Sequence, residues 1–413
     1  MAGTGHQNIA VIRGLTFLMF MMFAMTTDSV GVIIPQIIRE FNLSLTAAGA
    51  YHYATMAAIA LAAILLGFLA DRIGRKQTIL LGLSIFALNS YLFVFGNSFA
   101  YFLCLLMISG ASIGIFKTGA LALIGDISTS TTEHTSTMNL VEGYFGVGAI
   151  VGPAIVTALI HHHVSWKWLY AIAGTMCVLL ILIAVSVRYP RTVKTSEESV
   201  DLRRTMRMMG NPYALAFGMA ELLYVAIEAS VYVWGPLYLS AYHGRWLLLA
   251  SYAISVFFFL RAAGRFLGGW MLSRFDWSWV LALMSFAILL CLAGSVFGGV
   301  GAAVVLLPLS GLFMSVIYPT LNSKGISCFP KSEHGAVAGV ILFCTCGGAV
   351  LGPLAMAALI EALGAPKYAF LLAAVCAAVL LLGLVYNLLR QPTRAVLSRL
   401  DAREYGITAP LRT

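Results

Sequence analysis

Twelve apolar runs divide the chain, each close to the roughly 20 residues that a helix needs to cross a bilayer. They cover 14–38, 46–69, 77–96, 101–124, 138–160, 168–187, 213–239, 247–268, 278–296, 302–323, 335–360 and 368–389. Polar residues gather in the short gaps. One gap is longer: 188–212 carries Arg188, Arg191, Lys194, Glu197, Glu198, Asp201, Arg203, Arg204 and Arg207, and separates the sixth run from the seventh. The first run is too long for a signal-peptide core and lacks a small-residue cleavage pattern, so a retained span is expected. The pattern predicts an all-α membrane protein: an N-terminal six-helix bundle (1–187), a linker (188–212) and a C-terminal six-helix bundle with a short tail (213–413).

The two halves repeat. Gly148-Ala-Ile-Val-Gly-Pro153 returns as Gly348-Ala-Val-Leu-Gly-Pro353, an offset of 200. Asp28, seven residues before Pro35, is echoed by Glu228, eight before Pro236, and Gly67-Phe-Leu-Ala-Asp-Arg72 more weakly by Gly269-Trp-Met-Leu-Ser-Arg274. An even number of spans gives both copies the same orientation. Two pseudo-symmetric six-helix bundles about an axis along the membrane normal form a transporter architecture, in which the bundles rock around a midplane site. The two Gly-Pro elements are expected at close helix contacts and bends.

Composition agrees. Of 413 residues, 61% are hydrophobic and 10% charged, against about 25% charged in soluble chains. This excludes disorder, a nucleic-acid-binding module and a disulfide scaffold. The net charge of +9 is a topology signal instead. With the N-terminus inside, 20 of the 25 basic residues fall on the inner side, Arg261, Arg265, Arg274, Lys324 and Lys331 among them, and four fall outside. Both termini are therefore expected to be cytoplasmic, in a multi-pass protein of the cytoplasmic membrane. The seven cysteines form no CxxC pair. Adjacent rings of His161, His162 and His163 rarely converge on one ion, so no metal is expected. No phosphate-binding GxxxxGK[ST], HExxH or nucleophile elbow occurs, so neither ATP drive nor an enzyme is expected.

Between the second and third spans lies Gly67-Phe-Leu-Ala-Asp71-Arg72-Ile-Gly74-Arg75-Lys76. Gly67 allows close helix contact, and Asp71 can pair with a cation or cap a neighbouring helix. Gly74 permits the turn, and Arg75 and Lys76 hold the inside face. This run resembles the signature loop of the major facilitator superfamily, in which the loop latches the inner gate and binds no solute. Asp28 with Pro35-Gln36, Asn139-Leu-Val-Glu142 leading to Gly148–Pro153, Glu228 after Leu223-Tyr224-Val225, and Tyr318-Pro319-Thr320 resemble the fucose–galactose–glucose:proton symporter branch. That resemblance implies proton-coupled uptake of a hexose-like solute, with the acid of the first span near the sugar or proton site. There is a departure. Lys117, in Gly114-Ile-Phe-Lys117-Thr118, stands where the branch tends to carry an acid, and Glu142 stands where it tends to carry an amide.

Asp28, Lys117, Glu142, Glu221 and Glu228 fall inside spans. Each costs about 2.5–3.5 kcal/mol at a helix centre if isolated, so such groups usually face a cavity and pair. Asp28, Lys117 and Glu142 are expected at a shared depth, where one acid stays ionised against Lys117 and the other titrates; a static salt bridge is the alternative. Aromatic faces stack on sugar rings and amides bond hydroxyls, so Asn139, Tyr144, Tyr224, Tyr232, Trp234, Tyr318 and Asn322 are candidate solute ligands. The expectation is a secondary active transporter moving a small polar solute, a sugar first, by proton symport with alternating access. It needs no cofactor beyond the coupling proton, its partners are solute and lipid, and a monomer is expected. A proton-coupled exporter, or an organic-anion carrier using Lys117, is the alternative. A receptor on the same fold would need a soluble signalling domain, for which the polar segments are too short.

Overall fold

The computed structural model describes residues 3–43, 45–190 and 202–406, and these are helical almost throughout. Of the linker, 191–201 lie outside the described residues. Among the described residues twelve helices are long and apolar enough to cross a membrane. Large apolar side chains also cover the outside: Leu88, Leu248 and Phe297 are 71%, 75% and 84% exposed. A water-soluble surface rarely tolerates so much apolar area, whereas lipid solvates it.

The first nine helices are α1 (Gly3–Thr27), α2 (Val30–Phe41), α3 (Leu45–Leu66), α4 (Leu69–Arg72), α5 (Arg75–Leu92), α6 (Phe99–Ile127), α7 (Thr131–His161), α8 (Trp168–Ser186) and α9 (Leu202–Met209). The other eight are α10 (Pro212–Leu239), α11 (Leu247–Arg274), α12 (Trp277–Phe297), α13 (Gly299–Met314), α14 (Ile317–Ser327), α15 (His334–Leu363), α16 (Lys367–Arg390) and α17 (Pro392–Tyr405). Three of the spans are broken among the described residues, the second span at Gly67–Phe68 between α3 and α4. The first gives way at Asp28–Ser29, between α1 and α2. The tenth breaks between α13 and α14, where Pro319 supplies no N–H to the carbonyl of Ser315 four residues earlier and its ring crowds that carbonyl.

The chain forms two compact units. Unit 1 comprises Met1–Ile127, Val141–Asn211 and Lys331–Phe343; unit 2 comprises Ser128–Leu140, Pro212–Pro330 and Cys344–Thr413. The first part of α7 thus packs in unit 2, and the first part of α15 in unit 1. Inside each unit the packing follows one plan. In unit 1, α6 packs on α3 and α5, and α8 on α5 and α1; in unit 2, α13 packs on α11 and α12, and α16 on α12 and α10. The Gly-Pro repeat has the same role twice. A Cβ at Gly148 would strike the carbonyl oxygen of Met21 on α1, and one at Gly348 the carbonyl oxygen of Leu222 on α10. Both helices continue through their prolines, Pro153 and Pro353. The predicted bends are therefore absent as breaks, and the glycines serve close backbone packing.

Overpacking a well-filled site typically costs about 1–3 kcal/mol. Gly348→Leu should therefore lower the thermal unfolding midpoint of the detergent-solubilised protein, while Gly383→Leu, at a position with open space around it, should leave it within error.

Candidate functional site

Between α10 and α11, unit 2 buries two arginines and two glutamates, and the sequence pattern counted the arginines with the inner loops. Arg261 and Arg265 lie inside α11, 6% and 3% exposed. They are not inner-loop residues, and the positive-inside count falls from 20 to 18 without them. Facing them on α10 are Glu221 and Glu228, 0% and 8% exposed. Residues 221, 224, 228 and 232 follow one face of α10 at three- and four-residue spacing, as do 258, 261 and 265 on α11. Arg261 Nη1 donates to Glu228 Oε1. The Tyr224 hydroxyl lies 3.2 Å from the same oxygen and 2.8 Å from the carbonyl of Met314, at the broken end of α13. Arg265 and Glu221 also act electrostatically on that hydroxyl. Phe258 covers the Arg261 guanidinium, 5.0 Å from ring centroid to Cζ, and Tyr232 packs on Phe258 at 5.8 Å. Both rings are half-buried.

The candidate solute ligands divide between the units. Tyr318 packs 6.5 Å from Tyr224. Asn322 is fully buried, and neither amide atom finds a partner among the described residues. Trp234 is half-buried. Asn139 is fully buried, and its amide nitrogen donates to Thr135 O (2.9 Å) and to Thr320 Oγ1 (3.4 Å). In unit 1, Tyr144 stacks on Phe17.

The predicted Asp28–Lys117–Glu142 cluster does not form at one depth. Phe17 meets Tyr144, Met21 meets Gly148 and Met25 meets Gly152, so α1 and α7 run parallel at a constant offset of 127 residues. Glu142 is then level with residue 15, thirteen residues before Asp28, or about 20 Å at 1.5 Å per residue. Asp28 sits half-buried at the break of the first span, where the Thr27 hydroxyl donates to it (2.9 Å). Lys117 enters no ion pair among the described residues. Its ammonium lies over Phe145 (4.7 Å) and Phe20 (5.7 Å) instead, near the level of Glu142.

In the 67–76 loop the contacts of Asp71, Gly67 and Gly74 can be placed. Asp71 caps α15: Oδ1 accepts from Gly335 N (3.0 Å) and Oδ2 from Ala336 N (2.9 Å). A Cβ on Gly67 would stand 2.5 Å from Ala63 O and close to Gly335 O (3.1 Å) and the Gly339 Cα (3.2 Å), so a side chain there would force the backbone to shift. Gly74 takes φ 101° at the turn. Arg75 does not hold the face: at 1% exposure it is buried. It pairs with Asp71, bridges to Asp126 (3.0 Å) and donates to Lys331 O. Lys76 ties the loop to the end of α8 through Val185 O (2.9 Å) and Val187 O (2.8 Å), and Arg72 is exposed.

Unit 2 closes on the start of α7 with a different acid. The position answering to Asp71 is Ser273, and nearby Asp276 caps its own helix, α12. Asp401, from the tail helix α17, takes the role. Its carboxylate accepts from Thr131 N and Thr131 Oγ1, both 3.0 Å, while Lys324 Nζ donates to Thr131 O (3.2 Å). His134 bonds Ser327 (2.7 Å) and Thr135 bonds Ser323 (2.9 Å) alongside.

The Major Facilitator Superfamily model matches residues 16–352 and 250–412. The chain belongs to that superfamily. Its helices superpose on the crystal structure of FucP in the outward conformation with a TM-score of 0.78, at 20% identity, over 92% of this chain and 99% of that one. In sequence it is 25% identical to the L-fucose-proton symporter of Escherichia coli over 88% of its length and 90% of the relative. It is also 22% identical to a TsgA homolog of Buchnera aphidicola, over 82% and 87%. The chain is thus a multi-pass membrane transporter of the major facilitator fold.

Two signals for the rest were present in the sequence. Arg261 and Arg265 sit within the run 247–268, and Glu133-His134 recurs as Glu333-His334 at the repeat offset of 200, marking the starts of α7 and α15. Nothing in the sequence marked Asp401.

A hydrogen bond to a charged acceptor contributes about 1.5–3 kcal/mol. Asp401→Asn should therefore speed amide hydrogen exchange at Thr131 about ten- to a hundredfold and leave Gly335 unchanged; Asp71→Asn should do the reverse. Hydrogen-exchange mass spectrometry on the full chain reads both.

Proposed function

We propose that this transporter is a proton-coupled symporter of a small polar, sugar-like solute, working by alternating access with both termini cytoplasmic. The observation that carries this is Asp28. It is a half-buried carboxylate placed where the first span breaks, in a chain alike over nine-tenths of its length to a fucose-proton symporter. A carboxylate in an apolar interior costs least when protonated or paired, so an acid open to the solute path can take and release a proton as its surroundings change. Asp71 and Asp401 supply the gate. Each holds the first turn of a helix by exposed backbone N–H groups, and the helix dipole favours the negative charge there. These bonds can break and re-form without leaving a charge in lipid, as a rocking cycle requires. Glu142 and Lys117 form a second charged level, which sets the local field about 20 Å from Asp28. Lys117 as the partner of an anionic solute has less support, because the ammonium is covered by Phe20 and Phe145.

Reconstituted vesicles with an imposed inward proton gradient test this. L-fucose, D-galactose, D-glucose or their acid derivatives should accumulate above the outside concentration. Asp28→Asn should cut that accumulation at least tenfold yet leave solute exchange under equal pH running, since exchange needs no net proton movement. Proton-driven uptake that survives in Asp28→Asn/Glu142→Gln would refute it.

A further inference from the structure

Helix α17 is a short amphipathic helix, and both of its ends are tied to span ends on one side of unit 2. At its start the Thr393 hydroxyl donates to Asn387 Oδ1, near the end of α16 (2.9 Å). The Tyr213 hydroxyl, at the start of α10, donates to the carbonyl of Pro392 (3.3 Å). Further along, Asp401 accepts from Thr131 N and Oγ1 at the start of α7, both 3.0 Å. The stretch from Pro392 to Asp401 covers about 14 Å at 1.5 Å per residue, so the helix runs along the membrane face and does not point away from it. Thr393, Leu397 and Leu400 form its buried stripe at three- and four-residue spacing. Arg394, Ala395, Ser398, Arg399, Ala402 and Arg403 are exposed, and none of them is an acid. The two acids of the helix are engaged: Asp401 holds Thr131, and half-buried Glu404 lies 3.6 Å from Arg403. The partner of Arg394 is the neutral amide oxygen of Gln391 (2.7 Å).

The lipid side marks the same level. On α16, Leu382, Tyr386, Leu389 and Arg390 are all exposed at three- and four-residue spacing, so the lipid-facing stripe of that span ends in a guanidinium. Asn387 Nδ2 donates to Ser278 Oγ (3.1 Å), which sets exposed Trp279 of α12 beside the end of α16. Tryptophan at a span end sits at headgroup depth. Asp276, the acid next to it, is occupied in capping α12 through Ser278 N and Trp279 N. Arg390 and the arginines of α17 therefore stand at the level of the bilayer phosphates.

We propose that the exposed face of α17, together with Arg390, docks anionic phospholipid headgroups, and that this contact steadies the Asp401–Thr131 cap. A guanidinium fork meets a phosphate with paired N–H bonds and stays charged. Basic side chains at a span end gain from the negative potential of an anionic leaflet, and a helix lying in the interface presents them there. The apolar stripe of α16 and Trp279 favour lipid over a soluble polyanion, because acyl chains and phosphates are met together at this edge. Asp401 sits two residues from both Arg399 and Arg403 on one continuous helix. A bilayer that holds those arginines also holds the carboxylate against the first turn of α7. The lipid composition of the membrane thereby sets how firmly unit 2 closes on that helix. The leaflet concerned is the inner one on the reading of the tail as cytoplasmic; the surface itself requires neither that topology nor proton coupling.

Nanodiscs present both membrane faces, so a test in them is independent of orientation. The purified full chain is placed in discs of phosphatidylcholine alone or with rising phosphatidylglycerol, and amide exchange at Thr131 is followed by mass spectrometry with Gly335 as internal reference. Native mass spectrometry reads which lipid the chain retains. Phosphatidylglycerol should be retained over phosphatidylcholine and should slow exchange at Thr131 severalfold. Arg394→Gln/Arg399→Gln/Arg403→Gln, at exposed positions, should weaken that preference about fivefold for each arginine lost and abolish the slowing. Arg394→Lys/Arg399→Lys/Arg403→Lys should keep both. Asp401→Asn should keep the lipid preference and lose the slowing. Equal retention of the two lipids by wild type, an undiminished preference in the glutamine variant, or Thr131 exchange indifferent to phosphatidylglycerol overturns the proposal. So does displacement of phosphatidylglycerol by inorganic pyrophosphate, which would mark a soluble polyanion as the partner. The wild-type comparison stands even where a variant fails to fold. Asp28-dependent uptake is untouched by each of these outcomes, and proteolysis of the tail in sealed vesicles tests the topology separately.

Discussion

A charge inside a bilayer cannot be left alone. It can be paired, neutralised by a proton, or handed from one partner to another, and each choice constrains how the helices move. Removing one member of a buried pair costs about 3–5 kcal/mol, because the other is left uncompensated. The distribution of ionisable groups in this chain follows from that constraint. Arg75 is surrounded by Asp71, Asp126 and the carbonyl of Lys331. Arg261 holds Glu228 under the cover of Phe258. Lys117, in no ion pair among the described residues, takes two aromatic faces, the weaker substitute for an anion.

Two kinds of polar contact emerge. One kind falls on backbone amides at helix starts, where Asp71 meets α15 and Asp401 meets α7; the helix dipole favours a negative charge there. The interior contacts at Glu228 are buried: Arg261 and the Tyr224 hydroxyl meet one carboxylate oxygen, and the hydroxyl also meets the Met314 carbonyl beside the break at Pro319.

The fold was legible because its signals are long: twelve apolar runs, a 200-residue offset and one glycine-acid loop. The gate was half legible. Asp71 belongs to a local motif, whereas Asp401 acts on Thr131 from 270 residues away, and no short pattern announces such a contact. The interior site was least legible. Asp28, Lys117 and Glu142 looked coincident because depth was estimated from each helix's own centre, and the α1–α7 register shows that those centres do not align. Arg261 and Arg265 were masked by a counting rule that treats basic residues as loop markers, although both lie in an apolar run. The repeat carried information about them: Glu228 answers to Asp28, and a buried acid in the second half calls for a nearby cation.

The account stands on proton and solute moving together. Its most direct test is the external pH of lightly buffered, unenergised vesicles holding the full chain when D-galactose or D-galacturonate is added. The account predicts a transient alkalinisation as protons enter with solute, abolished by a protonophore and absent in Asp28→Asn. Solute entry at wild-type rate with no change in external pH would contradict it.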